Sequence, residues 1–271
     1  MIAVYAIGGG AGHVTRARRV IEALGIEAVI VATPSDRRAA GGIPLVEIPR
    51  TLEGDPVAHR SWLREQPFDR LIVDTFPCGI QGELAGLDLP LDFIGRLLRV
   101  GEYRKATANA PWPRFGTAYI VEEGAPAVEA ARVVPLELRV DPAELAGGAS
   151  PVPEAGGYWL IVHSGPAAEV EELVRYAEEL RRGRPVVVAT PVELTLPDGF
   201  TRIDLFPATP LFAGAETILS AAGFNIMLET EAWRGKHLVV PFPRRFDDQF
   251  ARAARRRRMR GDAGRLTAPL G

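Results

Sequence analysis

An uninterrupted apolar run at residues 2–7 breaks into Gly8-Gly9-Gly10-Ala11-Gly12-His13 and then into a helical pattern that carries Arg16, Arg18 and Arg19. A strand that is apolar on both faces must be covered on both, which is the condition of a parallel sheet flanked by helices. The glycines let the backbone turn sharply and approach a ligand closely. Further apolar runs at 28–32, 45–48, 71–73, 91–94, 117–121 and 132–134 alternate with helical patterns at 14–24 and 57–65. That alternation predicts an α/β fold with doubly wound parallel sheets.

The segment 141–157, DPAELAGGASPVPEAGG, is poor in large apolar residues and rich in Pro, Gly and Ala, and reads as a linker. It divides an N-terminal Rossmann-like domain, 1–140, from a C-terminal one, 158–271. The second domain repeats the opening logic: a strand at 158–163, the small loop Ser164-Gly165-Pro166, and a helix at 167–182. Strands at 185–190 and 201–204 and a short helix at 209–213 lead to the stretch 220–249, SAAGFNIMLETEAWRGKHLVVPFPRRFDDQ.

That stretch packs several chemical signals into one unit. A strand at 217–220 turns through small residues, Asn225 is placed to cap a new helix, and Glu229 follows six residues after Gly223. The unpaired N–H groups of a first helical turn and the helix dipole favour an anion such as phosphate. Glu229, further along, suits a neutral hydroxyl-bearing group, because a carboxylate beside phosphate is repelled. A strand at 237–240 then ends in Pro241-Phe242-Pro243, and a loop returns Arg244, Arg245, Asp247, Asp248 and Gln249.

The spacing resembles the donor signature of two-domain (GT-B fold) nucleotide-sugar glycosyltransferases. Plant-type members read H-C-G-W-N-S-x-x-E and end, after a strand and proline, in D/E-Q. The matching residues are Gly223, Asn225, Glu229, Asp248 and Gln249. The lipid II N-acetylglucosaminyltransferase family has the same Gly-to-Glu interval, a comparable V-P-F, a G-G-x-G-G-H opening like residues 8–13, and a glycine–serine loop similar in place to Ser164-Gly165. The resemblance implies two domains facing a cleft, with Glu229 on the ribose hydroxyls and the diphosphate at the turn before Asn225 and at Ser164-Gly165. It also implies that Asp248 and Gln249 touch the donor sugar, and that Gly10 and Gly12 belong to an acceptor-side loop with His13 beside the reacting centre. The histidine two positions before the glycine in the plant pattern is Ala221 here, so that phosphate contact falls to backbone, Asn225 or an arginine such as Arg244.

Sugar transfer needs the acceptor hydroxyl deprotonated as it attacks, and a neutral imidazole near pH 7 suits that step, which makes His13 the expected general base. Asp74 ends the strand at 71–73. Both residues would sit at carboxyl ends of parallel strands, where ligands collect, so Asp74 is the expected partner that orients the imidazole. A dinucleotide reading fails at the third glycine of G-x-G-x-x-G, where His13 stands, although Asp36 lies at a ribose-binding distance.

Composition narrows the remaining classes. The net charge of −2 carries no nucleic-acid signature, and a single cysteine, Cys78, excludes an intrachain disulfide and cysteine-rich zinc sites. The dispersed His13, His59, His163 and His237 and the absence of a D-x-D motif predict no metal and no cofactor beyond the donor itself. No apolar run reaches about 18 residues and no basic region precedes residues 2–7, so the expectation is a cytoplasmic protein. The aromatic and basic stretch 96–115 reads as an irregular connection that could hold an acceptor or meet an anionic membrane surface, and the arginine-rich helix after Gln249 reads as a solvated face that could meet anionic lipid or the diphosphate. The expected activity is inverting, metal-independent transfer of a sugar, with UDP the expected nucleotide, to an acceptor hydroxyl, lipid-linked or on a small molecule. A nucleotide-sugar 2-epimerase and a non-catalytic nucleotide-sugar-binding protein are the alternatives.

Overall fold

The computed structural model describes residues 1–35, 37–141, 144, 145 and 157–266. Most of the predicted linker and Asp36 lie outside the described residues. The chain divides into two compact units, one of Met1–Arg139 with Arg245–Asp247, the other of Val140–Arg244 with Asp248–Gly271.

The first unit is built on seven parallel strands: β1 (Ile2–Tyr5), β2 (Val29–Ala32), β3 (Leu45–Glu47), β4 (Arg70–Asp74), β5 (Leu91–Gly95), β6 (Phe115–Ile120) and β7 (Ala130–Pro135). Their spatial order, β3-β2-β1-β4-β5-β6-β7, reverses direction between β1 and β4, and the loops after those two strands are where this architecture binds ligands. Every residue of β2 is buried, as strands covered on both faces require. Helix α1 (Ala11–Leu24) lays Val14, Ala17, Val20 and Ile21 on the sheet at helical spacing and stops at Gly25, whose left-handed conformation suits glycine. Helix α2 (Pro56–Glu65) starts where Asp55 accepts the N–H groups of Val57 and Ala58 at 3.1 and 2.9 Å, with proline at the first helical position.

The stretch 96–115 is not the irregular connection expected from its prolines. Helix α3 (Val100–Ala106) forms there and ends before Pro111 and Pro113 can interrupt it. Its Tyr103 is fully buried, donates to the Gly79 carbonyl at 2.6 Å and accepts from the Cys78 N–H at 3.0 Å. A second polar knot lies inside the unit. The Tyr5 hydroxyl donates to Glu83 Oε1 at 2.7 Å and sits 3.0 Å from His59 Nε2, while Glu83 also accepts the N–H groups of Ile80 and Gln81. Because the tyrosine proton goes to Glu83, Nε2 of His59 must donate to the tyrosine oxygen, which is the neutral tautomer of a buried histidine.

The second unit has five parallel strands in the order β10-β9-β8-β11-β12: β8 (Tyr158–Val162), β9 (Val186–Ala189), β10 (Phe200–Ile203), β11 (Ala215–Ala221) and β12 (His237–Val240). Direction reverses between β8 and β11, repeating the plan of the first unit. Helix α4 (Ala167–Leu180) buries Val170, Leu173, Val174 and Ala177, a stripe in which each fully covered Leu or Val contributes about 1.5–3 kcal/mol. Helix α5 (Phe224–Glu229) follows β11, and α6 (Gln249–Leu266) follows β12.

Two expectations change here. Asn225 is not the cap of α5: Gly223 holds the extended cap position and Asn225 is the second helical residue, so the side-chain cap falls on a residue that has none. The arginines of α6 do not form a solvated face either. Arg252 and Arg256, one turn apart, are buried; Arg252 donates to the Ala222 carbonyl at 2.7 Å, and Arg256 binds the Thr230 carbonyl at 2.9 Å and pairs with Glu231. Arg257 and Arg258 are exposed. Among the described residues no helix is long and apolar enough to cross a membrane.

Candidate functional site

In the first unit the chain leaves β1, turns through the glycines and enters α1, which carries His13 on its first turn. β4 ends in Asp74 beside it. His13 Nδ1 lies 2.6 Å from Asp74 Oδ2, and the carboxylate has no solvent exposure. Arg16, one turn further along α1, grips the same carboxylate with Nε on Oδ1 at 2.7 Å and Nη2 on Oδ2 at 2.6 Å. Thr75 is the hub beyond it. Its hydroxyl donates to Asp74 Oδ1 and accepts from Arg16 Nη2 at 3.1 Å and from Arg96 Nε at 2.9 Å. Arg96 in turn donates to Asp247 Oδ1 at 2.8 Å. Thr75 holds φ at 68°, a costly backbone conformation for a β-branched residue, and this hydrogen-bonded hub is what over-determines it.

The ring of His13 is held by shape as well as by charge. Phe76 packs on it at 5.6 Å between centroids. On the Nε2 edge there is room only because residue 8 is glycine: a Cβ there would fall 2.3 Å from Nε2 and 2.4 Å from Cδ2. Gly8→Ala is therefore expected to push the imidazole out of register with Asp74 and to move the ring-nitrogen shifts of His13 in a labelled protein. Shifts equal to those of the unaltered protein would show that the ring has freedom the packing denies it.

Burial would push the Asp74 carboxyl up, but Arg16 and His13 outweigh it and hold it well below the usual carboxylate range. For His13 the largest effect is burial, which lowers it; Asp74 raises it, Arg16 and Arg96 lower it again, and the result lies below the ordinary imidazole value. The ring is thus neutral near pH 7 and able to accept a proton.

In the second unit His163 directly follows β8, and its Nε2 lies 2.7 Å from Glu169 Oε2 in the first turn of α4. Arg244 pairs with both oxygens of Glu169, and Phe242 stacks on the His163 ring at 5.7 Å. Gly165 is required here, because a Cβ would sit 2.4 Å from His163 Nε2. Ser164 is exposed at the mouth of the same loop. After β11, Gly223 and Asn225 open α5 and Glu229 closes it, half-buried. Gln249 is buried, and its side-chain oxygen accepts from Ala222 N at 3.2 Å and Phe242 N at 3.0 Å, tying the turns after β11 and β12 together. Asp248 accepts the Ala251 N–H at 2.9 Å and caps α6. Gly10 and Gly12 are exposed at the start of α1.

The structure therefore brings His13 and Asp74 together, and sets Arg244 against the loop of Ser164 and Gly165 through Glu169. Sequence reasoning missed Gly8, Arg16, Thr75, Arg96 and Asp247 in the first unit and His163 and Glu169 in the second. Of these, Arg16 had a readable signal, since three residues after His13 on a helix is the same face.

Three histidines, one buried and two largely so, make stability fall with acid. His13, His59 and His163 are each lowered, chiefly by burial, so the folded protein resists protons that the unfolded chain takes up near pH 6.5. Their contribution is complete above that pH and is lost as pH falls through it toward the lower folded values; Asp74 adds a further loss below about pH 4. Urea midpoints measured at pH 7.5 and 5.5 should be lower at the more acid value. Equal midpoints would contradict the neutral state of all three.

No protein-family model matches the chain, and a search of the curated proteins finds no match. Solved structures do match. The spinosyn rhamnosyltransferase SpnG complexed with thymidine diphosphate is 19% identical over 96% of this chain and 85% of its own, with a TM-score of 0.61. Acinetobacter baumannii MurG is 16% identical over 93% and 82%, with a TM-score of 0.50. The UDP-N-acetylglucosamine 2-epimerase from Rickettsia bellii is 14% identical over 86% and 76%, with a TM-score of 0.55. The chain has the fold of GT-B glycosyltransferases, with a Rossmann-like domain in each unit.

Proposed function

We propose that the protein transfers a sugar from a nucleoside-diphosphate donor to an acceptor hydroxyl in a single inverting displacement. The observation that carries this reading is the His13–Asp74 pair at the strand-order reversal of the first unit, 2.6 Å apart, with the carboxylate buried and the imidazole partly exposed. The acceptor oxygen attacks the anomeric carbon as its proton passes to His13 Nε2. The bond from that carbon to the β-phosphate oxygen breaks, and its electron pair leaves with the nucleoside diphosphate. Asp74, ionised and oriented by Arg16, holds the imidazole in place during the transfer.

The second unit takes the donor. Glu229 accepts from the ribose hydroxyls, Asp248 and Gln249 bound the sugar, and the diphosphate meets backbone N–H groups at Ser164-Gly165 and at the turn holding Gly223 and Asn225. Arg244 balances the charge that builds on the leaving group, work that fixed donors and cations do well away from water. UDP and TDP are the first nucleotides to try, since SpnG is solved with thymidine diphosphate. The acceptor is a small molecule or a lipid-linked sugar. Loss of transfer on replacing either His13 or Glu229 by alanine is the test, and full turnover in both variants would end the proposal.

The likeness to a 2-epimerase gives the second reading. An epimerase converts the donor with no acceptor present, whereas a transferase needs one, so product analysis with and without acceptor separates them. A protein that binds the nucleotide and turns nothing over would be the non-catalytic alternative.

A further inference from the structure

We infer that Arg16 is a positioning residue for the imidazole of His13: by pairing both oxygens of Asp74 it keeps that carboxylate an acceptor for the ring proton on Nδ1, leaves the lone pair on Nε2, and opposes a second proton on the ring. The inference rests on the reading of His13 as base only for its consequence in catalysis; the protonation state it describes can be measured without any substrate.

The argument is one of donors and acceptors. Asp74 is without solvent exposure and receives Arg16 Nε and Thr75 Oγ1 on one oxygen and Arg16 Nη2 and His13 Nδ1 on the other. An arginine can only donate, and an ionised carboxylate can only accept. The 2.6 Å contact between His13 Nδ1 and Oδ2 therefore needs a proton on Nδ1. Arg16 Nη2 is itself 3.1 Å from Nδ1, and with that nitrogen protonated the contact is one of two donors sharing one acceptor. A fixed positive charge at that distance disfavours the imidazolium.

This differs from a hydrolase-type pair, in which the carboxylate is available to stabilise the charged ring. Here the charge of Asp74 is already matched by Arg16, which is buried with 3% of its surface exposed. The other groups facing the ring do not reverse the balance. Thr75 is neutral, Phe76 is apolar, and Arg96 adds positive charge that Asp247 offsets. Burial is the largest cause of the lowered affinity of His13 for a proton; Asp74 works against it, and Arg16 and then Arg96 add to it. The consequence is a weak base that stays neutral well into mild acid.

Nitrogen and carbon shifts of the histidine rings, recorded against pH on ring-labelled protein, read this directly. Only four histidines are present, and His13→Gln identifies the signal. The unaltered protein should show the Nδ1–H tautomer and an apparent pKa under that of free imidazole. Arg16→Met should raise it by at least about one pH unit, because the carboxylate then faces the ring without a cation paired to it. Arg16→Lys, which keeps a cation without the two-pronged grip, should fall between. An Nε2–H tautomer or a charged His13 at pH 7 in the unaltered protein overturns the inference, and so does an unmoved His13 in a folded Arg16→Met. If Arg16→Met does not fold, the unaltered protein and Arg16→Lys decide it. Failure to bind any nucleotide would sink the glycosyltransferase reading and leave this measurement intact.

Discussion

His13→Ala should lower the rate of sugar transfer by about 10²- to 10⁴-fold, the range that a positioned general base contributes, while nucleotide affinity stays unchanged. The separation is expected because His13 lies in the first unit and every donor contact assigned above lies in the second. The ring lies partly exposed beside Asp74 and has an edge that only glycine at position 8 leaves open, so its removal deletes a proton acceptor and leaves the sheet standing. Steady-state transfer assays beside calorimetric titration of the nucleotide check both halves. A variant with normal turnover would place the base elsewhere, and one that loses nucleotide affinity along with rate would make His13 a binding group.

Arg244→Met should weaken binding of a nucleoside diphosphate and leave the affinity for the bare nucleoside unaltered. A hydrogen bond to a charged group contributes about 1.5–3 kcal/mol, which is roughly tenfold to a hundredfold in Kd. The side chain is partly exposed and is held by Glu169 at the first turn of α4, where backbone N–H groups already favour an anion. Equal Kd values for the variant and the unaltered protein would mean that the arginine serves only its partner Glu169.

The alternation of elements was legible because strands covered on both faces must be apolar throughout. The runs at 28–32 and 185–190 contain β2 and β9, whose residues are all buried. The strand at 237–240 coincides with β12, since Lys236 and Pro241 bound it chemically. Helix α3 was hidden by Pro111 and Pro113, which lie beyond its end and were read as breaking a longer segment. Asn225 has the chemistry of a cap but not its position: the extended residue is Gly223, and a glycine there gives no side-chain signal. The inward face of α6 was unreadable because five arginines among seven residues, 252–258, give no apolar stripe; burial of Arg252 and Arg256 depends on the carbonyls of Ala222 and Thr230 that the fold presents to them.

At the site, His13 and Asp74 were readable as strand-end residues, but their pairing depends on β1 lying beside β4 rather than beside the next strand alone. Arg96 and Asp247 meet although 151 residues separate them in sequence, and nothing local to either announces the contact. The role of Gly8 needed the position of the imidazole itself. Long-range convergence, not local pattern, is what the sequence withheld.

Calorimetric titration of the protein with UDP, TDP and GDP, with Glu229→Ala run beside it, asks whether the second unit seats a nucleoside diphosphate at the segment containing Glu229. Saturable binding of one of these nucleotides that collapses in the variant is expected, and it names the base with which acceptors should then be screened. Binding of none of the three, or binding that Glu229→Ala leaves unaltered, would contradict that placement.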